Sequence, residues 1–258
     1  MYTFSSEGII LKRADFGEAD RLITIFTKNK GKILSLAKGI RRIGSRRAGN
    51  VELLNKVKLF FAQSKSLPIL TEAESVQTYK NIKKDLKKVG YAYYLTELVD
   101  QFFHDREENY KTFDLLSEAL DNLDRINNTR TENIVRVFEL KILSLAGYRP
   151  QIHTCIKCNK PLEPGGNLFS ADLGGVLCES CGRQSPLARP ISTEAVKVMR
   201  FMQEKPLSEV AKLNVSKNLG EELKNHLKFY LEFILERELV SADFAERVKK
   251  LEIVDRPQ

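Results

Sequence analysis

Four cysteines fall within one 27-residue stretch: Cys155-Ile-Lys-Cys158 and, nineteen residues later, Cys178-Glu-Ser-Cys181. Two C-x-x-C pairs at this separation spell a tetrahedral four-thiolate site. Each short knuckle aims two sulfurs at one ion, and the spacer brings the second knuckle back to the first. Pro161, Pro164, Gly165, Gly166, Gly174 and Gly175 in that spacer suit a hairpin-forming loop. Four thiolates saturate Zn2+ and leave no position for water, so one structural zinc per chain is expected rather than Lewis-acid catalysis. Two other uses of the cysteines compete. A redox C-x-x-C calls for a thioredoxin-like βαβ unit, which the pattern lacks, and disulfides do not suit a chain without an export signal. His153, two residues before Cys155, reads as a surface residue or a group supporting the knuckle, and His104 and His226 as surface residues on their helices.

The second grouping is basic. Of 258 residues, 42 are Lys or Arg and 34 Asp or Glu, a net charge of +8. Residues 1–80 hold fifteen basic and seven acidic side chains, so the whole excess lies in the first third and the remainder is neutral. Such a one-sided field favours a polyanionic partner. Its focus is Gly39 to Asn50, which carries Arg41, Arg42, Arg46 and Arg47 with three glycines and follows Lys38; Arg13 and Arg21 lie near neighbouring strand ends. Arginine forks suit phosphates and stack on bases. The segment reads as a flexible basic loop, and the competing account is an ordinary solvated surface loop. Base stacking, with no Trp in the chain, would fall to Tyr2, Phe4, Phe16, Phe26, Phe60 or Phe61, some of which must be core.

The elements that position these groups follow from periodicity. Segments 7–12, 21–27, 32–38, 51–63 and 67–77 read as strands, with a hairpin turn at Asn29-Lys30-Gly31 and Pro68 at a strand start or edge. Five strands in under 80 residues suit a small barrel better than an α/β unit, and small barrels of the OB type bind single-stranded nucleic acid in a basic groove with aromatic platforms. Beyond residue 78 the period becomes helical: Leu95, Leu98, Val99, Phe102 and Phe103; Phe113, Leu116, Leu120 and Leu123; then Ile134 to Leu145, stopped by Gly147 and Pro150; and later Thr193–Gln203 and Leu219–Leu239. The expected class is α+β and multidomain: a barrel over 1–78, a helical domain over 79–150, a four-cysteine zinc-ribbon-like element over 151–190, and helices over 191–258 that pack with 79–150.

Catalytic signatures are missing. There is no G-x-x-x-x-G-K-[ST], H-E-x-x-H, G-x-S-x-G or Rossmann glycine pattern. Asp15, Glu18 and Asp20 could hold Mg2+ as in a nuclease, but Asp20 beside Arg21 reads more simply as a local ion pair. A non-enzyme is expected. No uncharged run exceeds eight residues, short of the roughly 20 that a membrane span needs. The first ten residues lack a basic n-region before an apolar stretch, so a cytoplasmic protein with no membrane partner is the default.

The chain resembles the RecO family of bacterial DNA-repair and recombination-mediator proteins. The resemblance covers essentially the whole chain. It is carried by Gly17-Glu-Ala-Asp-Arg-Leu22, by Thr27 to Gly31 leading to Leu36-Ala-Lys-Gly-Ile-Arg-Arg42 and Ser45, and by Phe138-Glu-Leu-Lys-Ile-Leu143 with Gly147-Tyr-Arg-Pro150 running into the first cysteine pair. It implies an N-terminal OB-fold, a central helical bundle and a zinc element inserted in the C-terminal part. It further implies binding of single- and double-stranded DNA, annealing of complementary strands, and work with RecR, sometimes RecF, to load RecA onto strands coated by single-strand-binding protein (SSB), whose C-terminal tail is a partner. A nucleoid-associated location follows. The metal ligands carry over to Cys155, Cys158, Cys178 and Cys181; some members lack these cysteines, so zinc would support the fold rather than the family's function. DNA contacts carry over to Lys38, Arg41, Arg42 and Ser45, while Arg13, Arg21, Arg46 and Arg47 rest on charge alone. An RNA-binding barrel-and-ribbon factor of translation or RNA processing is the alternative.

Overall fold

Alternating buried and half-buried side chains along Gly31-Lys-Ile-Leu-Ser-Leu-Ala37 show why the first third forms strands: every second residue enters an apolar core. In the computed structural model, which describes residues 2–126, 130–239 and 241, five strands occupy this region. They are β1 (Thr3–Phe16), β2 (Asp20–Thr27), β3 (Gly31–Ala37), β4 (Lys56–Ala62) and β5 (Ile69–Gln77). β1 is long enough to pair twice, through residues 3–9 with β4 and residues 8–16 with β2. The order β1-β2-β3-β5-β4, with β4 returning to β1, wraps the sheet around Ile10, Ile23, Ile25, Val57, Leu59, Phe61 and Leu70. The ring closes at its thinnest point through one parallel bridge, Leu36 to Ile69. It is therefore a strongly curled sheet with a narrow seam, without a full ladder on every side. The stretch 51–55, expected as strand, forms turns instead.

α1 (Lys80–Lys83), α2 (Leu86–Phe102) and α3 (Tyr110–Arg125) follow. The Asp85 carboxylate caps α2 by accepting from Lys88 N–H. Chain packing places residues up to Asp124, with 241, in one compact unit and 125–239 in a second. This division cuts through the helical domain expected over 79–150, and the reason is visible in side chains. Phe103 packs against Phe26 with ring centroids 6.1 Å apart. Lys56 Nζ donates to Ser117 Oγ at 3.1 Å, and Lys12 and Lys32 both reach Asp100. α2 and α3 thus belong with the strands. At Gly31, in the left-handed region at φ +60°, a Cβ would overlap the Glu107 backbone, so no other residue fits there.

The second unit is built on α4 (Thr131–Leu145), against which α6 (Thr193–Glu204), α7 (Leu207–Val210) and α8 (Lys217–Leu235) pack. Ile134, Val137, Phe138, Met199, Met202, Leu223, Leu227 and Leu231 fill this core. Ser192 and Ser216 cap α6 and α8. Between α4 and α6 run β6 (Leu168–Ser170), β7 (Gly175–Leu177), α5 (Glu179–Gly182) and β8 (Arg189–Pro190), with sheet order β7-β6-β8. His226 is not on the surface: it is buried in α8 against the Phe169 ring, because its face of the helix turns toward the small sheet. The helices expected over 191–258 are seen as far as Leu235, and residues 242–258 lie outside the described residues. Among the described residues no helix is long and apolar enough to cross a membrane.

Candidate nucleic-acid interface and metal centre

The segment 38–50 is not a flexible loop. It is a chain of hydrogen-bonded turns: Arg42 N–H donates to Gly39 O, Ser45 N–H to Arg42 O, Ala48 N–H to Ser45 O, and Asn50 and Val51 N–H to Arg47 O. Ile40 and Val51 are buried in the core of the curled sheet, and Ala48 packs against it. The turns are also laced to the β1–β2 turn. Gly39 N–H donates to Asp20 Oδ1 at 2.7 Å, Arg41 N–H to Ala19 O at 2.9 Å, and Arg41 Nη1 to Gly17 O at 3.3 Å. Asp20 is therefore occupied by a backbone amide and is not the partner of Arg21.

The eight polar residues singled out in sequence have different fates. Lys38, Arg42 and Arg46 are exposed, and their side chains make no ion pair or hydrogen bond with another described residue. Ser45 is half-buried, its N–H donating to Arg42 O. Arg21 and Arg41 share one carboxylate: Arg21 Nε lies 2.8 Å from Asp15 Oδ1 and Arg41 Nη2 lies 3.4 Å from Asp15 Oδ2. The hydrogen bond from Arg21, with the charges of Arg41, Arg21 and Arg13, holds the Asp15 carboxyl below its ordinary pKa against a smaller opposing effect of burial. Arg47 has turned inward, donating to Leu70 O at 2.6 Å, Lys38 O at 2.7 Å and Thr71 O at 3.3 Å. Arg13 points elsewhere, into a 2.6 Å pair with Glu52. The structure thus places Lys38, Arg41, Arg42, Ser45 and Arg46 on one run of hydrogen-bonded turns, joins Arg21 to Arg41 through Asp15, and uses Arg47 as a clamp.

The aromatic residues sort as cleanly. Phe26 and Phe61 are core, and Phe4 stacks on Phe61 with centroids 4.9 Å apart. Phe16, 50% exposed at the end of β1, pairs with Asp20 across the hairpin, and Tyr2 is 71% exposed. Exposed cations on an ordered turn can neutralise phosphates, and an exposed ring can stack a base.

The four cysteine sulfurs lie within 4.8 Å of one another, the one such cluster of His, Cys, Asp and Glu among the described residues. Asp15, Glu18 and Asp20 form none. Cys158 Sγ and Cys178 Sγ, from different knuckles, are 3.8 Å apart. A tetrahedral ion about 2.3 Å from each sulfur, the distance that zinc takes, spaces its ligands by about 3.8 Å. The set therefore fits a metal ion. The first knuckle is closed by Asn159 N–H to Cys155 O and Cys155 N–H to Lys160 O, and the second by Gly182 N–H to Cys178 O. An isolated bridge from Gln151 to Gly175 ties the approach to the first knuckle to the small sheet, and one from Thr154 to Pro161 closes that knuckle on itself. Cys155 is fully buried and Cys158 exposed, so the site lies half in the fold. A hydrogen bond from Ser180 leads the effects that lower the Cys178 thiol to about 6, while Cys181, beside Cys178, is pushed up to about 12. Thiols this close cannot all ionise without a cation. Sequence reasoning weighed Asp15 and Asp20 as Mg2+ ligands and missed Asp15 as the partner of Arg21; the hairpin register pairing those two residues was the available signal.

Comparison with known proteins gives the family. Residues 1–79 match the family profile described as Recombination protein O N terminal, and residues 83–243 match Recombination protein O C terminal. The DNA repair protein RecO of Roseiflexus sp. (strain RS-1) is 36% identical over 248 residues, covering 96% of this chain and 87% of the relative. Those of Dehalococcoides mccartyi (strain BAV1) and Alkaliphilus metalliredigens are each 31% identical, covering 92% and 95% of this chain and 92% and 98% of their own lengths. With both halves matched in order and relatives aligned over nearly their full length, the chain belongs to the RecO family of DNA repair proteins.

Proposed function

We propose that the protein is a non-enzymatic recombination mediator that binds single- and double-stranded DNA, anneals complementary strands and helps to load RecA onto SSB-coated single strands, with RecR and in some settings RecF as partners. The observation that carries the DNA-binding part is the ordered turn presenting Lys38, Arg42 and Arg46 with no counter-ion among the described residues. The strand order β1-β2-β3-β5-β4, closing on β1, supports reading the curled sheet as an OB-fold. Annealing requires no covalent chemistry. Neutralised phosphates repel less, two strands held on one surface meet at high local concentration, and base pairing drives the reaction. Arg21 and Arg41, steered by Asp15, add phosphate contacts from the neighbouring turn; Arg13 and Arg47 hold the scaffold instead.

Zinc is the ion proposed for the cysteine cluster, held by Cys155, Cys158, Cys178 and Cys181. It would supply cross-linking of two knuckles and no reaction chemistry, because four thiolates leave no open position. The deciding experiment measures annealing of complementary oligonucleotides, bare and SSB-coated, by wild type and by an Arg42→Ala/Arg46→Ala variant. Wild type should anneal both substrates and the variant should lose most of the rate. No annealing by wild type refutes the proposal; an unimpaired variant refutes the assignment to the turn.

A further inference from the structure

Resting on the reading that the curled sheet binds single-stranded DNA, we infer a second contact for the strand: a pocket at the far end of β3, where Tyr2 and Phe4 receive a nucleobase and Lys30 and Arg106 receive its flanking phosphates. The pocket has a volume of about 340 Å3, of the order that small-ligand sites occupy. It lies across the β3–β5 seam, bordered by Leu34 on one side and Leu67 and Pro68 on the other.

Its groups are those that a base and a phosphate require. The Phe4 ring is fixed by stacking on the buried Phe61, and Lys30 Nζ lies 5.3 Å from its centroid. Tyr2 stands open at the rim, its backbone held by Gln63 N–H donating to Tyr2 O at 2.9 Å. The Gln63 side chain offers an amide that can both donate to and accept from a base edge. Arg106 is held in the left-handed region at φ +64° by its N–H bond to Lys32 O, and its guanidinium has no partner among the described residues. The acids at the rim are partly accounted for. Asp105 faces Lys32 at 3.7 Å, which leaves Glu108 as the one carboxylate against Lys30 and Arg106.

The strand that borders the pocket leads to the basic turn. On β3 the outward residues are Lys32, Leu34 and Leu36, and the strand runs directly into Lys38. From Lys32 to Lys38 the rise is ~20 Å, the span of a few nucleotides of an extended strand. The outer face of β3 thus forms an apolar track with cations at both ends: phosphates bind at the Arg42 end and a base stacks at the Tyr2 end.

The test uses the full chain and a fluorescein-labelled dT15, with a backbone of the same length carrying abasic sites as the second probe. Tyr2→Ala should weaken dT15 binding about tenfold, whereas its affinity for the abasic strand should equal that of wild type; Tyr2→Phe should restore binding to dT15. Arg106→Ala should weaken both probes and lower the salt slope by about 0.7. If Tyr2→Ala and Arg106→Ala bind dT15 as wild type does while Arg42→Ala binds it weakly, the pocket serves something other than DNA, such as a protein segment, and the inference falls while the proposed function stands. If wild type binds neither probe, both fall.

Discussion

Arg42 and Arg47, five residues apart in one basic turn, should behave in opposite ways. Arg47→Ala removes two short charge-assisted hydrogen bonds, to Leu70 O and Lys38 O, and a longer one to Thr71 O. Each such bond contributes ~1.5–3 kcal/mol when buried. This guanidinium is only partly buried and water can reach the released carbonyls, so the loss should total about 2 kcal/mol. For a unit of this size that lowers Tm by roughly 6–12 °C. Arg42→Ala removes a side chain that holds nothing, so stability should stay within about 0.5 kcal/mol. Its cost should appear in DNA binding, as a weaker affinity and a salt slope shallower by about 0.7. Thermal unfolding followed by circular dichroism, together with titration of a labelled oligonucleotide at several salt concentrations, separates the two. An Arg47→Ala protein that melts with wild type and loses binding as Arg42→Ala does would refute the division between clamp and contact.

Three further outcomes are expected. Burial lowers the His226 pKa despite the Glu222 carboxylate and the Pro190 carbonyl beside it, so the unfolded chain binds a proton that the folded chain refuses. Stability should therefore fall as pH drops through the ordinary value of 6.5 and level off below the depressed one, and His226→Gln should flatten that part of a chemical-denaturation series. Bound metal should be near one per chain by elemental analysis, falling as acid protonates the thiolates, and Cys155→Ser should lose it together with part of the Tm; a variant that keeps a full complement contradicts the site. Gly31→Ala should cost about 2 kcal/mol or more in urea unfolding, since φ is +60° and the Glu107 backbone occupies the space of a Cβ.

The parts of the molecule legible in sequence are those whose determinants are local. The cysteine knuckles are readable because each holds its ligands three residues apart, and the helices because their apolar stripes repeat every three or four residues. Arg47 was illegible as a clamp because its acceptors come from Lys38, Leu70 and Thr71, nine to twenty-four residues away, and nothing in a basic run distinguishes the inward side chain. Asp20 looked like the partner of its neighbour Arg21, yet strand alternation turns adjacent residues to opposite faces, and the register delivers Asp15 instead. The division of the helices hid for a related reason. Leu95, Leu98 and Val99 announce a buried face but not which core it enters, and the salt links of Asp100 to Lys12 and Lys32 are pairings across 68 or more residues.

The single bridge between Leu36 and Ile69 gives the curled sheet an uneven resistance to opening. Every other strand junction would have to surrender a ladder of hydrogen bonds to part, but this one gives up little beyond the bonds from Leu36 and Ser35 to Pro68 O. Local breathing should start there, with the amides of the seam exchanging hydrogen well before those between β1 and β2. A strand of DNA laid along β3 would span this fault as a splint does, and binding energy would then appear partly as rigidity of the protein itself.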